Sequence, residues 1–144
     1  MSVPLSHSQR IFHREITSRF EEVDTACSEI RAFLSANNLA AHSFTVELVA
    51  RELLNNAILH GNRKQADKKV TLSLHVGRRW LRLEIADEGE GFNWRQARAT
   101  AATPSATSGR GLMIGKLYAD RLSFNRIGNR VTLWLDKNRT AKRY

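Results

Sequence analysis

The chain holds one cysteine (Cys27), two prolines and no apolar run approaching the ~20 residues that a membrane-spanning helix requires. A lone cysteine excludes an internal disulfide framework and a cysteine-rich zinc site. The first ten residues lack the apolar stretch of a secretory signal. These absences lead us to expect a cytoplasmic protein with no membrane attachment. Two phosphate-binding signatures are missing as well: neither G-x-x-x-x-G-K-[ST] nor G-x-G-x-x-G occurs, which rules out P-loop and dinucleotide-binding Rossmann readings. No period of 20–50 residues repeats, which excludes solenoids and propellers.

What is present fits one globular domain spanning residues 1–144, with its core at 9–136 and a polar, basic tail at 137–144. The composition is 42% hydrophobic and 26% charged, and a domain of this length buries roughly 68–70% of its unfolded surface. Lysine and arginine outnumber aspartate and glutamate by 23 to 14, a net charge of +9. The excess is uneven. Residues 1–60 carry five arginines against seven acids, whereas residues 61–144 carry eighteen basic residues against seven acids. A basic half of this kind points to an anionic partner: nucleic acid, a polyphosphate or an acidic protein surface.

Periodicity organises the chain. Residues 9–16 alternate loosely and predict an edge strand. Val23, Cys27, Ile30 and Leu34 recur at helical spacing within 20–37, with Phe33 widening the stripe. Ser43 is the expected N-cap of a second helix over 44–60, whose stripe is Val46, Val49, Leu53 and Ala57 and whose stop is Gly61. The period then drops to two. Val70, Leu72, Leu74 and Val76, a turn at Gly77-Arg78-Arg79, and Leu81, Leu83 and Ile85 predict an antiparallel hairpin with one buried face. Residues 98–108 show no period, and 112–119 suggest a short helix. Residues 122–125 and 131–136 form a second hairpin turned at Ile127-Gly128-Asn129. The order predicts an α/β (α+β) two-layer sandwich, with helices on one face of a mostly antiparallel, mixed sheet.

Three segments carry chemistry. Glu52, Asn56 and His60 are spaced by four and share one helix face. A carboxylate beside an amide oxygen suits a hydrated Mg²⁺ and proton transfer, although a solvated helix face has the same pattern. Asp87-Glu88-Gly89-Glu90-Gly91-Phe92 follows a strand. Asp87 could accept a hydrogen bond from the amino group of a base, and Gly89 and Gly91 allow close backbone approach or positive φ. An acidic turn reads the same way. Ser108-Gly109-Arg110-Gly111-Leu112 opens a helix, where free N–H groups and the helix dipole favour phosphate. His7, His13, His42 and His75 show no ligand spacing and are expected at the surface or in turns. His60 is expected to hydrogen-bond at the helix end, Cys27 to be a buried thiol, and the tryptophans to pack on the sheet or cap its edge.

In this order and at these separations, the three segments resemble the N box, the D-x-G-x-G box and the second glycine box of the GHKL ATPases. ELLNNAILHG, DEGEGF and SGRGLMIG carry the likeness. Within that superfamily the chain looks like the small bacterial anti-sigma-factor serine/threonine kinases, whose N box ends in the NAxxHG seen here at Asn56 to Gly61. The 42 residues before Ser43 leave no room for the dimerisation helices of a two-component histidine kinase.

The resemblance implies a Bergerat ATP-binding fold with ATP and Mg²⁺ as cofactors. Glu52 would be the general base and Asn56 the Mg²⁺ ligand. Asp87 would bind the adenine amino group, and Gly89 and Gly91 would shape the base pocket. Ser108, Gly109, Arg110, Gly111 and Leu112 would meet the phosphates, beneath a lid at 92–108. The implied activity is transfer of the γ-phosphoryl group to a serine or threonine of a STAS-type anti-sigma-factor antagonist. The implied partners are that antagonist, a sigma factor or other regulator that the kinase sequesters, and a second copy in a homodimer. The alternative is a nucleotide-binding switch that moves no phosphate. A nucleic-acid binder is a third reading, but no helix-turn-helix, zinc-finger or RNA-stacking signature supports it. Most of the basic excess, including Arg78 and Arg79, is instead expected to meet an acidic protein surface.

Overall fold

The computed structural model describes residues 10–91 and 118–138. The strands are β1 (Ile11–Thr17), β2 (Lys69–Val76), β3 (Trp80–Asp87), β4 (Arg121–Phe124) and β5 (Arg130–Asp136); the helices are α1 (Glu21–Ala36) and α2 (Ser43–Asn56). The strands form one sheet in the order β1-β2-β3-β5-β4. The sheet is antiparallel, as the mostly antiparallel expectation required, and among the described residues no pairing is of the parallel kind that a mixed sheet would add. The connections explain why, since β2–β3 and β4–β5 are hairpins and β1 joins β2 edge to edge across the helices.

Strict alternation gives the sheet two unlike faces. Val70, Leu72 and Leu74 of β2, Leu81, Leu83 and Ile85 of β3, and Val131, Leu133 and Leu135 of β5 are buried beneath the helices. They meet Val23, Cys27, Ile30 and Leu34 of α1 and Val46, Val49, Ala50, Leu53 and Leu54 of α2 in one core. Each large aliphatic side chain buried this way contributes about 1.5–3 kcal/mol. The Cys27 thiol lies within this core and burial pushes its pKa up, as expected of an inert thiol.

Helix ends show where sequence and structure part. Glu21, Glu22 and Asp24 occupy the first turn of α1, where their charge favours the positive end of the dipole. That helix closes in a Schellman motif. Asn38 takes φ 59°, and its N–H and that of Leu39 donate to the Ser35 and Leu34 carbonyls. Ser43, expected as an N-cap, is instead the first residue of α2. A 3-10 turn at Ala40–His42 runs directly into the helix, so the side chain has no capping geometry. Its hydroxyl is buried without a hydrogen-bond partner among the described residues. The regular helix also stops at Asn56, earlier than expected, and continues as a π turn over Ala57–Gly61. The short helix expected at 112–119 lies outside the described residues up to 117; Tyr118 is helical and Ala119 is buried beyond it.

The two hairpin turns are built differently. In β2–β3 the Gly77 N–H donates to the Trp80 carbonyl. In β4–β5 a single side chain organises the turn: Asn125 Oδ1 accepts from the N–H groups of Gly128, Asn129 and Arg130 at 3.0–3.1 Å. Asn125, expected at the end of a strand, therefore leaves β4 and fixes the turn.

Candidate nucleotide-binding site

The π turn and the D-x-G-x-G segment meet at one end of the covered face. An open pocket of about 120 Å³ lies there. Leu53, Asn56, Ala57, His60 and Gly61 form the helical wall, Ile85, Asp87 and Gly91 the floor, and Phe124, Gly128, Asn129, Arg130 and Val131 the far wall. Of the sequence-predicted residues, Asn56, Asp87 and Gly91 line this space. Glu52 is half-buried one helical turn before Asn56 and does not line it. Ser108, Gly109, Arg110, Gly111 and Leu112, and the expected lid at 92–108, lie outside the described residues.

The wide turn sets the geometry of the helical wall. The Asn62 N–H reaches back to the Ala57 carbonyl at 2.8 Å, spanning five residues where an α-helix spans four. His60 consequently sits at the pocket rim, exposed. Its ring makes no hydrogen bond among the described residues, so the expected helix-end bond is not made. Gly61 comes against the floor. A Cβ added there would lie 2.3 Å from the Asp87 carboxyl carbon.

Glycine spacing in the floor follows from the same crowding. A Cβ on Gly89 would come within 2.1 Å of the Gly61 carbonyl oxygen. Gly91 takes φ +83°, and a Cβ there would meet the Ile127 carbonyl oxygen at 1.9 Å. A side chain at Gly89 or Gly91 would have to move backbone, and one at Gly61 would displace the Asp87 carboxylate. Asp87 is anchored between them. Its N–H donates to the Asn129 carbonyl at 2.9 Å, and its Oδ1 accepts from the Gly89 N–H at 2.8 Å. Oδ2 has no protein donor among the described residues. Burial raises the Asp87 pKa, opposed by the Gly89 hydrogen bond and by Lys68. The result is a half-buried carboxylate with one oxygen held and the other available to an N–H donor in a flat cleft.

Sequence reasoning missed the residue that holds these parts together. Asn62 is 0% exposed. Its Nδ2 donates to Ser18 Oγ at 3.0 Å and to the Lys69 carbonyl at 2.9 Å, and its Oδ1 accepts from the Glu88 N–H at 2.8 Å. Ser18 in turn donates to the Lys68 carbonyl at 2.7 Å. One amide thus ties β1, β2 and the glycine loop together. The only hint in the sequence was its place directly after the helix-stopping Gly61. Gly61 itself was read as a stop, and the Gly128–Asn129 wall as a plain turn.

The cleft combines aliphatic groups of Leu53, Ala57, Ile85 and Val131 with one Asp87 carboxylate oxygen that has no protein donor among the described residues, a lining that an amino-bearing ring would use. A family profile described as "Histidine kinase-like ATPase domain" matches residues 16–135. The chain belongs to that family, and ATP binding goes with the membership. Among solved structures it is similar to the histidine kinase domain of the Erythrobacter litoralis EL346 blue-light activated histidine kinase. The identity is 17% and the TM-score 0.49, over 84% of this chain. This chain spans 60% of the length of that one. No curated protein matches at a significant level. Among the described residues, no helix is long and apolar enough to cross a membrane, and no group of three or more His, Cys, Asp or Glu residues could hold a metal ion.

Proposed function

We propose that this domain is an ATP-dependent protein serine/threonine kinase of the anti-sigma-factor type. It phosphorylates a STAS-type antagonist and sequesters a sigma factor or other regulator between phosphorylation cycles. The observation that carries the nucleotide part is the Asp87 carboxylate, pinned by Gly89 with Oδ2 turned to a cleft that Gly61 and Gly91 keep open. Asp87 would take the adenine amino group, and Gly89 and Gly91 would pass beside the ring. The carboxamide of Asn56, on the helical wall, is the group that would hold Mg²⁺. Bound Mg²⁺ would neutralise phosphate charge during transfer. Glu52, one turn behind, would accept the proton of the attacking hydroxyl. The glycine box from Ser108 to Leu112 supplies the phosphate end of the same reading.

A second reading has a specific observation in its favour. Because Glu52 does not line the pocket, the domain would bind nucleotide and change partner affinity without transferring phosphate. One experiment separates the two. The protein is incubated with Mg²⁺, γ-labelled ATP and candidate STAS-domain proteins, alongside Glu52→Ala. Label on the partner that disappears in the variant supports the kinase. ATP binding with no labelled partner in either protein supports the switch. Label that persists undiminished in Glu52→Ala removes Glu52 from the base role.

A further inference from the structure

The sheet face away from the helices carries a second surface, unrelated to the pocket. Register sets Ile11, His75, Arg82, Trp134 and Arg121 in one row across all five strands. At the hairpin end, Arg10, Arg78 and Trp80 join this row around an open trough of about 440 Å³. Nothing in the chain covers it among the described residues, and Arg10, Arg78, Arg82 and Arg121 are exposed.

Charge on this face is unbalanced in a specific way. Its carboxylates are already engaged: Glu15 with Lys69, Asp136 with Arg79, and Glu84 with Arg130. The ion pairs among the described residues do not include Arg10, Arg78, Arg82 or Arg121. Two guanidiniums on this face are also held by stacking. Arg121 lies over the Trp134 ring at 5.0 Å and Arg79 over the Trp80 ring at 5.1 Å. A stacked guanidinium keeps its N–H edge outward, in the planar fork that matches a carboxylate.

We propose that this trough and the row beside it dock an acidic segment of a partner protein, with side-chain carboxylates on Arg78, Arg82 and Arg121 and aliphatic groups against Ile11 and Trp80. A single-stranded nucleic acid offers the same sign of charge but needs bare aromatic faces for its bases. Here each tryptophan already carries a guanidinium on its ring, which favours carboxylates over bases. The trough is lined by the strand residues that alternate with the pocket-lining Ile85 and Val131, so the two surfaces lie on opposite sides of the sheet. A partner can therefore occupy this face while nucleotide occupies the other, and the inference stands whether or not phosphate is transferred.

The test is fluorescence anisotropy with a labelled twelve-residue peptide of alternating glutamate and alanine, and a labelled twelve-nucleotide oligo-dT, against the full chain. The peptide should bind more tightly than the oligonucleotide. The double variant Arg78→Glu, Arg82→Glu should weaken peptide binding roughly tenfold or more. A charge-matched control at exposed sites away from the trough, Arg19→Glu, Arg63→Glu, should change it less than about twofold at 0.15 M salt, where distant charges are screened. ATP binding measured on each variant checks that the fold and the pocket persist. Equal losses in both variants would show diffuse attraction and overturn the proposal. So would undetectable binding of the peptide, or binding that the trough variant leaves intact. Tighter oligonucleotide binding, lost in the trough variant, would assign this face to nucleic acid instead.

Discussion

On the covered face of the sheet, Leu72, Leu74, Leu83, Ile85 and Leu133 are packed out of solvent, and the pocket is cut into the edge of that same layer. On the open face, the intervening residues of the same strands are Thr71, Ser73 and His75, Arg82 and Glu84, and Thr132 and Trp134, with Arg82 exposed and the others half-buried. The two surfaces share every backbone hydrogen bond in the sheet yet depend on different forces. Recognition on the covered side rests on backbone packed too tightly for a methyl group, so shape decides the outcome. Recognition on the open side rests on charge without close packing, so salt and sign decide it. A substitution should therefore be costly on one face and cheap on the other.

The largest effect is expected at Gly89. Gly89→Ala places a methyl 2.1 Å from the Gly61 carbonyl oxygen. It should lower stability by about 1–3 kcal/mol and abolish ATP binding, read by thermal melts and calorimetry. Asp87→Asn comes next. Its Oδ1 can still accept from Gly89, but its other atom becomes a donor facing a donor. ATP affinity should fall by about 1–3 kcal/mol with the fold intact. The same variant has a pH signature. The folded pKa of Asp87 is raised by burial. The folded state thus holds this proton more tightly than the unfolded chain, and stability is lost as pH rises through that pKa. Asn removes this loss, so the variant's melting temperature should gain relative to wild type as pH rises above the ordinary aspartate value of 3.8.

Asn62→Ala strips partners from Ser18, the Lys69 carbonyl and the Glu88 N–H, and should cost about 1–3 kcal/mol. The smallest effect belongs to the open face. Glu15 pairs with Lys69 at 2.9 Å, both in contact with solvent. Glu15→Ala should change unfolding free energy by less than about 1 kcal/mol in a denaturant titration. A loss there as large as that at Asn62 would erase the distinction between the faces.

Much of this architecture was legible from alternation and helical spacing. The stripe Val23, Cys27, Ile30, Leu34 and the hairpin Val70 to Ile85 fall where the periods place them, because burial on one face imposes those periods directly. The position of Asp87 and the need for glycine at 89 and 91 were legible as a motif. What the motif did not contain was the reason, which lies in contacts between distant segments. Gly61 meets Asp87, and Ile127 meets Gly91, across sequence separations of 26 and 36 that no local pattern encodes. The π turn was unreadable for a related reason. Residues 57–61 have ordinary helical composition, and the widening is visible only in the Asn62–Ala57 hydrogen bond. Ser43 shows the opposite failure: a residue with strong capping preference was placed by tertiary packing where it caps nothing.

The Asn62 amide also bears on timing. A loop held by a fully buried side chain does not have to be ordered when ligand arrives. The base end of the cleft is therefore built in advance, and little conformational entropy remains to be lost there on association. Amide-exchange experiments would register this as slow exchange at the Glu88 N–H in the absence of nucleotide, on the scale of core amides rather than loops. The base would then dock into a finished wall at a rate set by diffusion and orientation rather than by folding.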